Sequence, residues 1–85
     1  MTKMEKRIES MNFKIDQQVL EIDRTQKEVQ RLLNRLNEDF SLDVAQAMSN
    51  ESNRLLRLFA ELEGLNNQLG MLRIWAEEEE AEQND

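Results

Sequence analysis

A chain of 85 residues with 11 basic and 18 acidic side chains, net charge −7, makes one small domain at most. A domain this short hides only about 60% of its unfolded surface, so a lone copy is marginally stable unless something adds to its core. No proline, no cysteine, two glycines and 34% charged residues put a long-helix or coiled-coil architecture well ahead of any sheet.

Histidine is absent as well as cysteine. That removes the common zinc ligand sets, thiol nucleophiles, redox pairs, disulfides and serine–histidine–aspartate chemistry. Carboxylate-bridged di-iron bundles need paired Glu-x-x-His motifs and are excluded by the same lack. Carboxylates and amines alone remain, with nothing gathering them in a pocket. The chain is therefore expected not to be an enzyme and to take no cofactor, metal or small-molecule substrate. No run approaches 18 apolar residues and no apolar stretch follows the basic N-terminus, so a cytoplasmic protein without membrane contact is expected.

The first predicted helix spans residues 3 to 37. Its seam runs Met4, Ile8, Met11, Ile15, Gln18, Ile22, Thr25, Val29, Leu32, Leu36 in alternating steps of four and three. Lettered as a heptad, Met4 is a d position and Ile8 an a position. Thr2 followed three residues later by Glu5 writes a capping box at the start. Isoleucine at a favours two-stranded packing, while Gln18 and Thr25 at d either thin the core or set the register. Val19, Leu33 and Phe40 widen the apolar stripe at e positions, and Phe13 and Leu20 sit at f, nearly opposite the seam. Arg24, Lys27, Arg31 and Arg35 form a basic ridge, but Glu21, Asp23 and Glu28 intersperse it. Pairing on the helix's own surface is thus expected over contact with nucleic acid.

Polar residues 37, 39 and 41 mark a corner, with a turn over 38–41 and Ser41 as N-cap of the next helix. The polar run 49–53 is the competing corner. The second predicted helix spans 42–78 on the seam Val44, Met48, Glu51, Leu55, Leu58, Leu62, Leu65, Leu69, Leu72, Ala76. Gly64 and Gly70 fall at c and b, away from that seam. They are either tolerated weak points or places where a partner backbone comes close. Adjacent glutamates 77–80 repel one another and oppose the helix dipole, so residues 79–85 are expected to form an acidic disordered tail.

Two long helices joined by a short turn must run antiparallel, giving an all-α, coiled-coil-like helical hairpin over residues 1–78. That sense sets the acidic tail beside Lys3, Lys6 and Arg7. One shared seam leaves Phe13, Leu20, Leu33, Leu56, Phe59, Met71, Ile74 and Trp75 short of cover, together with Val19. Each is worth about 1.5–3 kcal/mol if buried, and a patch of this kind marks an association site. These eight residues are the expected partner-binding set, with Trp75 as an aromatic anchor or as a lid over the edge near Leu72. Met4, Met11, Met48 and Met71 fit a forgiving core or a permissive groove. The hairpin is expected to associate as a multi-helix bundle, as a homodimer or around a helical protein partner. Its function is expected to be that of an adaptor or chaperone-like module that buries a partner helix. A permanent structural homodimer is the alternative, and a small nucleic-acid-binding regulator a distant third. In outline the hairpin resembles several kinds of small bacterial protein, among them short secretion chaperones, needle-type hairpins and compact RNA-regulating bundle dimers. That likeness is one of shape and carries no residue with it.

Overall fold

The computed structural model describes residues 2–83. Two helices account for nearly all of them: α1 (Lys3–Glu38) and α2 (Leu42–Gln83). They lie antiparallel against each other in an elongated hairpin of 68 × 17 × 13 Å. Its radius of gyration of 19.4 Å compares with about 12 Å for a compact chain of this length. The core is thus a single line of contact.

α1 begins where the capping box directs. The Glu5 amide donates to the Thr2 hydroxyl at 3.2 Å, and the Thr2 amide donates to the Glu5 carboxylate at 3.3 Å. The corner is Asp39, Phe40 and Ser41. Asp39 takes extended backbone (φ −142°, ψ 106°) and its amide donates to the Arg35 carbonyl. The Ser41 carbonyl then accepts the first bond of α2 from the Ala45 amide. No described residue has positive φ, so the chain reverses without the left-handed residue that a glycine would supply. Residues 49–53, the competing corner, are continuous helix. Phe40 leaves the widened stripe of α1 to which its e position assigned it and stands in the turn, 94% exposed.

All twenty seam residues are buried or half-buried. The two seams are also mirror images about Phe40. Counting equally outward, Leu36 meets the level of Val44, Ile22 that of Leu58, Ile8 that of Leu72 and Met4 that of Ala76. Cross-helix contacts agree with this register. The Gln18 side-chain amide donates to the Leu58 carbonyl at 2.9 Å and to the Glu61 carboxylate at 3.0 Å, while Arg54 reaches Glu21 at 3.3 Å. Ile22, Leu32, Val44, Leu69 and Leu72 are the fully buried apolar residues. Thr25, only 3% exposed, satisfies its hydroxyl on the Glu21 carbonyl one turn back at 2.8 Å.

Gln18 therefore acts as a cross-helix clasp. Replacing it by leucine (Gln18→Leu) completes the seam but removes both bonds, and a polar seam residue generally fixes alignment at a cost in stability. The Leu58 carbonyl lies inside α2 and Glu61 is exposed, so neither is stranded. The expected outcome is a gain of up to about 1 kcal/mol in urea unfolding. Spin-label distances between residues on α1 and α2 should broaden at the same time.

The end of α2 departs from expectation. The helix continues through Glu77–Glu80 to Gln83, five residues beyond 78; residues 84 and 85 lie outside the described part. Glutamate, alanine and glutamine are strong helix formers, and each like-charge pair on a helix costs only a few tenths of a kcal/mol. Those penalties do not stop a helix already propagating from a packed stretch. The juxtaposition of chain ends does occur, since Thr2, Met4 and Glu5 share a cleft with Ala76, Glu79 and Glu80. Among the described residues, though, no ion pair within 4.0 Å joins Lys3, Lys6 or Arg7 to the glutamate run.

Candidate functional site

With a and d between the helices, e and b positions form one flank of each helix, g and c the other, and f the back. The Glu21–Arg54 pair joins two g positions. It follows that the g flanks of both helices lie on the same side of the hairpin and the e flanks on the opposite side, as an antiparallel pair requires.

Each residue of the expected partner-binding set is exposed: Phe13, Leu20, Leu33, Leu56, Phe59, Met71, Ile74 and Trp75, with Val19 beside them. They do not share one face. Val19 and Leu33 on α1 and Leu56 and Phe59 on α2 occupy the e/b side. Met71 and Trp75 occupy the g/c side, near the open end. Phe13 and Leu20 lie on the back of α1 and Ile74 on the back of α2. The expected patch thus resolves into two flanks and two backs.

The e/b side is most exposed at Leu56, 70% open to solvent. Between Gln26 and the corner this side carries no charge: α1 presents Gln26, Gln30, Leu33 and Asn37, and α2 presents Leu42, Ala45, Ser49 and Ser52, with Leu56 and Phe59 just beyond, at the level of Asp23. Leu42, 83% exposed beside the equally bare Phe40, is part of the apolar surface that sequence reasoning missed. The available signal was its b position one turn before Ala45, in line with Leu56.

On the g/c side, Trp75 covers the edge of the seam only in part. It borders Leu72 and Met11 in a shallow, mainly apolar notch with Gln68, yet remains 47% exposed. Met4, Met11 and Met48 are half-buried seam residues, whereas Met71 is exposed.

The basic ridge is largely spoken for. Arg24 pairs with Glu21 at 3.5 Å, Lys27 with Asp23 at 2.9 Å and Arg31 with Glu28 at 2.6 Å. The Arg31 guanidinium donates two bonds to the Glu28 carboxylate and holds its pKa below the usual carboxylate value, while the pairing raises that of Arg31. Three of the four cations of the ridge are engaged on their own helix. Among the described residues, no group of three or more acidic side chains is placed to hold a metal ion, and no helix is long and apolar enough to cross a membrane.

No family model, no curated protein and no solved structure matches the chain.

Proposed function

We propose that this chain is a protein-binding helical module, adaptor-like or chaperone-like, that takes a partner helix onto the apolar surface its own seam does not cover. One observation carries the reading. All twenty seam residues are already buried or half-buried within the hairpin, yet eleven large apolar side chains among the described residues stay at least 40% exposed. Isolated exposed apolar residues are ordinary, whereas several along one flank, as Val19, Leu33, Leu42, Leu56 and Phe59 lie on the e/b side, match helix-in-groove recognition. A net charge of −7 would keep the free form soluble.

The test uses a photo-crosslinking residue placed in turn at Phe59, at Trp75 and, as control, at the exposed back position Asn53, in the organism's own extract. Adducts with a foreign helical protein from the two apolar positions, absent from Asn53, are the expected result. Since Trp75 is the single tryptophan, its emission should shift to the blue when the purified partner is added. Adducts with this chain alone would replace the adaptor by the permanent homodimer, and no adducts at all would overturn both.

A further inference from the structure

Charge divides the e/b side along its length. Towards the open end the two helices together carry Glu5, Glu9, Asp16, Glu63, Glu77 and Glu80 there, with Arg73 as the one cation. Between Glu63 and the corner the only charge on this side is Asp23, which pairs with Lys27 at 2.9 Å. The bare stretch reads Leu42, Ala45, Ser49, Ser52, Leu56, Phe59 along α2, with small side chains in the middle and large ones at the ends.

Resting on the partner-binding reading above, we infer that, when no partner helix is present, this stretch is covered by a second copy of the chain pointing the opposite way across a two-fold axis. The free form is then a closed dimer joined through its corner halves. A partner helix competes with the second copy for that flank, while Met71 and Trp75 on the g/c side stay open in both states.

Symmetry leaves two ways to pair one flank with itself. Copies pointing the same way cannot slide past each other, so α1 faces the α2 of the other copy at equal level. Asp16 then meets Glu63 and Glu5 meets Glu77, each twice, and like charges so juxtaposed disfavour the pairing. Copies pointing opposite ways set each helix against its own counterpart, and their overlap is adjustable. Centred between Ser49 and Ser52, this arrangement brings Leu42 level with Phe59 of the other copy, Ala45 with Leu56 and Ser49 with Ser52. Leu56 packs over a small residue, the serines let the helices come close at the centre, and Leu42 with Phe59 closes each end. On α1 the same centre sets Leu33 level with Gln26 and Gln30 level with itself. It also brings the bare Phe40 to the level of Val19.

The overlap stops where the charge begins. Each corner ends near the level of Glu61 in the other copy, short of Glu63 and Asp16. One heptad deeper would cover both carboxylates, and burying unpaired charge is costly. One heptad shallower would uncover Leu56 and Phe59. The overlap is about 32 Å long and two helices, about 20 Å, wide. Its flat footprint is about 640 Å² on each copy and about 1,300 Å² on both, within the range of stable specific interfaces.

The test uses the full chain. Sedimentation equilibrium should approach two copies with rising concentration and go no further. Small-angle scattering should give a longest dimension of about 105 Å, against 68 Å for one hairpin. Leu56→Lys, at a position 70% exposed in the hairpin, should keep its helicity by circular dichroism and associate at least about ten-fold more weakly. The chain has no cysteine, so mild oxidation reads the register. Gln30→Cys, beside the two-fold axis, should form a disulfide with its counterpart, whereas Asn12→Cys on the same flank, about 50 Å from its own, should not. A wild type that stays monomeric, a mass beyond two copies, unchanged association of Leu56→Lys, or equal linking at 12 and 30 overturns the dimer. A monomeric wild type that still crosslinks a foreign helix through Phe59 would sink the dimer and leave the partner-binding reading standing. A dimer linked through position 30 whose Phe59 meets only this chain in extract would do the reverse.

Discussion

Replacing Leu32 with alanine is expected to lower the stability of the hairpin by about 2–5 kcal/mol, the range for emptying a packed leucine site. Leu32 is 4% exposed, the most buried apolar residue, and lies level with Met48 between the layers of Val29 and Leu36. A chain of this size has about 4–13 kcal/mol in total, so this one change removes a large share of it. A single line of contact offers few neighbouring side chains to refill the gap. Leu33, next in sequence but 40% exposed on the e flank, makes the internal control: Leu33→Ala should cost less than about 1 kcal/mol in dilute solution. Urea unfolding of the two variants, followed by helicity, gives the comparison. Equal losses would mean that the seam is not where the register puts it.

The second large effect has the opposite sign. Gly64 and Gly70 are interior to α2, with helical φ, and a methyl group added at either meets nothing within 4 Å. Each glycine costs the helix about 1 kcal/mol relative to alanine. The two sites share no neighbour, so their effects should add. Gly64→Ala/Gly70→Ala is expected to gain about 1–2 kcal/mol, a rise in Tm of about 4–8 °C for each kcal/mol. Thermal melting of the double variant at low concentration reads this directly. The within-chain half of the question about these glycines is thereby answered: nothing in the hairpin itself approaches them. A double variant that melts higher yet self-associates less well would show that a neighbouring copy does.

Much of this fold is legible in the sequence because the heptad is strict. From Leu55 to Leu72 the leucine phase passes through both glycines, and in α1 the seam tolerates Gln18 and Thr25 without a slip. The corner is readable for a related reason: the apolar phase stops at Leu36 and resumes at Val44. The end of α2 is not readable this way. Dipole and like-charge penalties among Glu77–Glu80 are real but small beside the helix-forming preference of the same residues, and their balance cannot be struck from sequence signs alone. The partner-binding set was found by counting apolar residues that one seam cannot absorb. Its distribution over two flanks and two backs requires knowing which flank of α2 joins which flank of α1. That information resides in the contacts of Gln18 and of Glu21 with α2, not in either helix by itself.

Symmetry about Phe40 has a consequence for how the chain acquires its form. The layer of Leu36 and Val44 closes the shortest loop, and each layer beyond it extends a loop already nearly closed, so the entropy lost per added layer is small. Assembly can thus proceed as a zipper from the corner outward, through partners that become neighbours one after another. No early search for a distant contact is required, the topology for which rapid folding is the rule. Met4 and Ala76 are the last to engage and the first to part, which leaves the charged end of the rod as its most easily opened portion.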